Sequence, residues 1–170
     1  IPNWFTLLSP YLHITQAAVP PVAETKVEWE IHALLARWIE RRARERGPVE
    51  LHYAAGQTWV RGRQADLETA IVNLLDNAQR YSPPEAAVVV NAQDEHAGAR
   101  VSTNDRGPGI PEARREKIWA RFYTTDAESG GTGLGLAIVE RIVADHSGSV
   151  HAEQNQPHGA RFIIELPMNR

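Results

Sequence analysis

Between Asp66 and Tyr81 two periodicities run through one stretch of chain, and they constrain the fold more than any other feature. Leu67, Ala70, Ile71, Leu74, Leu75 and Ala78 recur at i, i+3, i+4 and i+7, the spacing of one helical face. Asp66 is a favourable N-cap, and Ser82-Pro83-Pro84 is a stop, because a residue before proline is pushed out of the helical region. A helix bounded in this way must bury its apolar face against another layer. Asn73, Asn77 and Arg80 share a different face at i, i+4 and i+7. Asn oxygens suit Mg²⁺, which takes oxygen ligands and keeps waters and phosphates in its shell. Arg80 could then reach phosphate, and Tyr81 could lie on a base. The competing reading of the same residues is a solvated helix face with Tyr81 as packing.

The remaining chain supplies the other layer. Short strands are expected at Lys26–Glu30, near 49–54 and 58–61, at about 86–92 and 99–104, and as a closing pair at Ser149–Asn155 and Ala160–Leu166. Ile31, Leu34, Leu35, Trp38 and Ile39 recur at helical spacing until Gly47-Pro48, a short helix is expected from Pro111 to Trp119, and Leu134–His146 forms an apolar-faced helix. Residues 1–24 hold Pro2, Pro10, Pro20 and Pro21 with no sustained period and read as a tail or linker packed on a domain of residues 25–170. A length of 170 residues is enough for one domain with a real core and too little for two.

Composition removes several classes of function. A net charge of -3 gives no general pull toward nucleic acid, and the run Arg41, Arg42, Arg44 and Arg46 reads as a solvated helix face. With no cysteine, there are no disulfides, thiolate metal sites or cysteine nucleophiles. The seven histidines show no zinc-ligand spacing. No stretch is long and apolar enough for a membrane span, and the opening Ile1 is expected to mark an excised fragment.

Two loops carry the remaining signals. Gly130-Gly131-Thr132-Gly133-Leu134-Gly135-Leu136 precedes a helix, so its glycines let main-chain N–H groups approach a polyphosphate beside a positive dipole end. A flexible hinge is the plainer reading. It is not a Walker loop, since no lysine followed by Ser or Thr closes it. Asp105-Arg106-Gly107-Pro108-Gly109-Ile110 ends a strand with a carboxylate able to accept from an exocyclic amine, although any turn uses these residue types.

In this order the segments resemble the boxes of histidine kinase catalytic domains, part of an ATPase superfamily that includes DNA gyrase and the large heat-shock chaperones. Asn73–Tyr81 looks like the N box, Asp105–Ile110 the first glycine box, Trp119-Ala120-Arg121-Phe122-Tyr123 the F box and Gly131–Leu136 the second glycine box, within a resemblance from about Lys26 to Leu166. The resemblance implies an α+β fold: a two-layer α/β sandwich whose mixed, mostly antiparallel sheet of about five strands is covered by three helices, with an ATP lid. It implies Mg²⁺ at Asn77 assisted by Asn73, the adenine amine on Asp105 and the adenine ring on Tyr81. Arg80 would face the phosphates, and Gly107, Gly109 and Ile110 would line the nucleotide. Thr132, Gly133, Leu134, Gly135 and Leu136 would cradle the triphosphate, with Phe122 anchoring the lid.

In the gyrases, chaperones and serine-directed kinases of the superfamily, a Glu general base stands where this chain has Asn73. An amide cannot take a proton at neutral pH, which disfavours fast hydrolysis and serine phosphorylation. The implied activity is binding of Mg-ATP and transfer of its γ-phosphoryl group to a histidine on a separate phosphoacceptor domain. None of the seven histidines has the neighbours of that box, so the acceptor and its assisting base are expected elsewhere. Expected partners are the histidine-bearing dimerisation domain of the same kinase and a downstream response regulator, with no nucleic acid and no membrane contact by this fragment. A cytoplasmic location under a membrane-anchored parent, and a monomeric fragment, complete the expectation. The alternatives are a nucleotide-binding regulatory module without productive transfer and an ATPase clamp.

Overall fold

The alternating apolar runs become strands and the 3.6-period runs become helices that cover them. The computed structural model describes residues 12–15, 28–30, 35–36, 39, 48–53, 59–95, 98–125 and 132–167. The strands are β1 (Leu12–Thr15), β2 (Glu28–Glu30), β3 (Val49–Tyr53), β4 (Trp59–Arg61), β5 (Val88–Glu95), β6 (Gly98–Asn104), β7 (Ser149–Gln154) and β8 (Ala160–Pro167). The helices are α1 (Gln64–Tyr81), α2 (Glu112–Arg115) and α3 (Gly135–Asp145), with a 3₁₀ turn at Lys117–Trp119. The helix expected from Ile31 lies mostly outside the described residues, and within it Leu35, Ala36 and Ile39 are helical and buried.

The main sheet runs β1-β3-β5-β6-β8-β7, and β2 pairs with β4 apart from it. β1–β3 and β3–β5 are parallel, whereas β5–β6, β6–β8 and β7–β8 are antiparallel, so the sheet is mixed and mostly antiparallel as the resemblance implies. One difference concerns the N-terminal stretch. Residues 1–24, read from sequence as a tail, contribute Leu12–Thr15 as a sixth strand, in register with Val49–His52. Its partner lies more than thirty positions away, beyond the reach of a local pattern.

Register places the core. Val90 and Ala92 on β5 stand opposite Thr103 and Val101 on β6, which stand opposite Phe162 and Ile164 on β8, and all six are buried. Over them lie Leu67, Ala70, Ile71, Leu74, Leu75 and Ala78 of α1, the face expected from the sequence, and α1 packs against α3, which buries Val139 and Val143. The other sheet face mixes buried Ile163 with polar residues. Arg100, Glu165 and Ser149 form a cross-strand row, in which the hydrogen bond from Arg100 and then that from Ser149 hold Glu165 below the usual carboxylate range.

Helix ends differ from expectation. α1 begins three residues early, at Gln64 with Arg63 as N-cap, and Asp66 sits in the first turn paired with Arg63 at 2.6 Å. The cap role is taken over from outside the helix: the Arg63 N–H donates to Nε2 of His146 (3.2 Å), whose Nδ1–H donates to the Ile142 carbonyl (2.7 Å). A Cβ at Gly62 would overlap the His146 ring, so glycine lets the two helix ends meet. The helix expected over Pro111–Trp119 divides into α2 and the 3₁₀ turn, with Pro111 as N-cap.

Candidate functional site

Alternation along β6 puts Val101 and Thr103 toward the helices and carries the chain on the same side to Asp105, which is 2% exposed. Its N–H donates to the Ala160 carbonyl (2.9 Å), and its Oδ1 accepts from the N–H groups of Ala160 (2.8 Å) and Gly107 (2.9 Å). Oδ2 makes no hydrogen bond among the described residues. Burial pushes the Asp105 pKa above the usual carboxylate value, and the Ala160 and Gly107 N–H groups partly oppose it. A buried carboxylate with one oxygen uncommitted is an acceptor waiting for a donor.

The loop after Asp105 is stitched to the end of α1. The Arg106 N–H donates to the Ser82 hydroxyl (3.0 Å), and a Cβ on Gly107 would lie 2.6 Å from the Tyr81 carbonyl oxygen. Gly109 takes a φ of +78°, open to glycine and costly for other residues. Asp105 and the last turn of α1 are therefore held along one cleft of about 450 Å³, within the range of small-ligand pockets.

Asn73, Asp76, Asn77, Arg80 and Tyr81 line that cleft from α1. Asn73 Nδ2 donates to the Thr69 carbonyl (2.8 Å), so its amide oxygen faces away from its own helix, toward Gly135, where an added Cβ would sit 2.9 Å from Oδ1. The Asn77 side chain makes no hydrogen bond among the described residues. Two amide oxygens one turn apart are neutral, hard donors, and they fit a Mg²⁺ ion that arrives with phosphates to complete its shell. Across from them, Thr132, Gly133, Gly135 and Leu136 bring the N-terminus of α3 to the cleft, where the first N–H groups of an 11-residue helix have no intrahelical partner.

The remaining wall is Pro108, Gly109, Ile110, Pro111, Arg114, Ile118 and Tyr123 to Thr125, and Ala160 and Phe162 of β8 complete the lining. Phe162 is fixed by an edge-on contact with Trp119, centroids 6.0 Å apart. Arg80 and Arg114 are the cationic side chains of the lining, and neither has an ion pair or hydrogen bond among the described residues.

Eleven of the residues expected at the site line this cleft; Gly107, Phe122 and Leu134 do not. Gly107 lies behind it, against α1. Leu134 is the N-cap of α3, its N–H near the Thr132 hydroxyl (3.4 Å). Phe122 is 74% exposed with φ +64°, and its main chain, not its ring, makes the attachment through an N–H donated to the Gly133 carbonyl (2.8 Å). The lid expected at Tyr123–Gly130 is described as far as Thr125, and the rest, with Gly131, lies outside the described residues. Sequence reading missed Arg114, Thr124, Thr125, Ala160 and Phe162 as site residues. Phe162 alternates with Ile164 as any core strand does, and only the long-range pairing of β8 with β6 brings it beside Asp105.

Fold and cleft together define an α/β sandwich with a cleft between its helix layer and the segment that follows α2. The chain belongs to the family described as histidine kinase-, DNA gyrase B- and HSP90-like ATPase, which matches residues 62–170. Among its relatives, the signal transduction histidine-protein kinase/phosphatase MprB of Mycobacterium sp. (strain KMS) is 39% identical over 138 residues, 77% of this chain and 27% of that protein. MprB of Mycobacterium avium (strain 104) is 33% identical over 169 residues, 95% of this chain and 32% of that protein. The chain thus spans about a third or less of these relatives' length. Among solved structures, the mycobacterial sensor histidine kinase MprB matches with a TM-score of 0.73 and 33% identity, covering 82% of this chain and 95% of that one. The nucleotide-free catalytic domain of histidine kinase ThkA matches with a TM-score of 0.72 and 28% identity, covering 84% and 97%. Among the described residues no helix is long and apolar enough to cross a membrane.

Proposed function

We propose that this domain binds Mg-ATP in the cleft and passes the γ-phosphoryl group to a histidine on a separate, histidine-bearing dimerisation domain of the same sensor kinase. The observation that supports it is the chemical difference between the two ends of one cleft: a buried carboxylate with a free oxygen at one, a glycine-opened helix N-terminus at the other. Asp105 Oδ2 would accept from the adenine amine, Tyr81 would lie on the base, and the first N–H groups of α3 with Arg80 would hold the phosphates. Asn77 and Asn73 would hold Mg²⁺, which when bound neutralises phosphate charge. The chain's own contribution is positioning and charge complementarity, because Asn73 offers no base with which to activate water or a serine hydroxyl.

By the same reading the parent is membrane-anchored with this domain on the cytoplasmic side, and a response regulator receives the phosphoryl group next. Histidine kinase ThkA has been solved in complex with the response regulator TrrA, which supports a response regulator as a partner. Calorimetric titration with Mg²⁺ and a non-hydrolysable ATP analogue tests the site. Binding by the wild type at micromolar to millimolar levels, with most of it lost in Asn77→Ala and in Asp105→Asn, is expected. An unchanged affinity in both variants sinks the assignment.

A further inference from the structure

We propose that Asn155, in the turn between β7 and β8, is a positioning residue for base recognition, a role that rests on the reading of the cleft as an adenine nucleotide site. Asn155 does not line the cleft. It lies behind it, half-buried, and its Nδ2 donates to the main-chain carbonyl of Asp105 (2.8 Å), fifty positions earlier in the chain. Its Oδ1 accepts the Gln156 N–H (2.9 Å), and its own N–H donates to the Gly159 carbonyl (2.9 Å). Both ends of the amide are thus committed. A flipped amide would face oxygen to the Asp105 carbonyl and N–H to the Gln156 N–H, so the orientation is fixed.

The turn holds Asp105 at every other group as well. Ala160 takes its N–H and donates to Oδ1, and a Cβ on Gly159, where φ is +111°, would overlap the Asp105 carbonyl oxygen. Arg106 Nη1 donates to the Gln156 carbonyl (3.2 Å), tying the next residue to the same turn. What remains uncommitted is Oδ2, whose direction is set through the five bonds that link it to the carbonyl oxygen that Asn155 holds. Losing the Asn155 bond leaves the peptide plane after Asp105 held only by the Arg106 N–H to the Ser82 hydroxyl, so that it can tilt and carry the carboxylate off its line.

A residue that acts on the amine acceptor changes discrimination between bases, whereas a residue that merely supports the fold weakens all ligands alike. The test compares Mg²⁺ complexes of ATP and of purine riboside triphosphate, which lacks the exocyclic amine, on wild type, Asn155→Asp and Asn155→Ala. Asn155→Asp keeps the acceptor for Gln156 but replaces the donor to Asp105 with a charged carboxylate oxygen; Asn155→Ala removes both groups without adding charge. The expected result is a fall of about tenfold in the ratio of the two affinities in both variants, the size of one hydrogen bond to a charged group. Affinity for the amine-free ligand should change much less, and no further fall in the ratio should appear when Asp105→Ala is already present. Equal loss of both ligands, or no loss of either, overturns the role of Asn155. If Asp105→Ala itself leaves the ratio unchanged, the adenine reading of Asp105 falls and takes this proposal with it.

Discussion

Asp105 answers two opposed demands: it must stay buried to be selective, yet burial disfavours its charge. Its folded pKa is raised above the unfolded value, so the folded state binds more protons than the unfolded state between the two values, and stability falls as pH rises through that window. Above that window the ionised carboxylate is therefore a standing cost to the empty domain. Asp105→Asn keeps an oxygen for the Ala160 and Gly107 N–H groups and removes the charge. We expect it to melt at the same or a higher temperature than wild type and to lose the stability slope in that acid window, while binding of the ATP analogue drops at least tenfold. Thermal melts across pH beside calorimetry decide it, and a lower melting temperature at neutral pH would contradict it. The identity of Asp105 was legible in the sequence, as a carboxylate closing a strand before Gly-Pro-Gly. Its partners Ala160 and Asn155 were not, because fifty or more residues separate them from it and nothing local marks the pairing.

α1 was the most legible element because its two periodicities do not compete: every apolar position expected to be buried is buried, while Asn73, Asn77 and Arg80 line the cleft. Its start was misplaced for a physical reason. Asp66 satisfies the local rule for an N-cap, but the exposed donor at Arg63 is met by His146 at the end of α3, which no local pattern connects to it. β1 escaped for a similar reason, since among the described residues its strand pairing is the parallel one with β3. The double use of α1 makes a prediction at this scale. Leu74 is fully buried and adjoins Asn73, so Leu74→Ala should cost about 2 to 5 kcal/mol by chemical denaturation, with the higher figure if the cavity cannot collapse. A loss under 1 kcal/mol would mean that α1 is not seated on the sheet as described.

For the whole molecule, ligand and fold share the same supports: the cleft joins α1, the loop after β6, the start of α3 and the end of β8. Anything that binds there and not to the unfolded chain stabilises all of them together, by about 2.7 kcal/mol at a hundred times its dissociation constant. For a domain of this size that corresponds to a melting shift of roughly 5 to 10 °C. We expect this shift with the Mg²⁺ complex of the ATP analogue, and none with Asn77→Ala at the same concentration. A shift that survives in Asn77→Ala would place the ligand elsewhere.

Gly135 and Asn73 meet with no room for a methyl group between them. In the vocabulary of machining this is a zero-clearance fit: a single hydrogen atom gauges how far the metal-side amides of one helix stand from the phosphate-side donors of the other. Tolerance at that joint is therefore set by an atom that belongs to neither set of ligand contacts, and widening it by one carbon would re-space both.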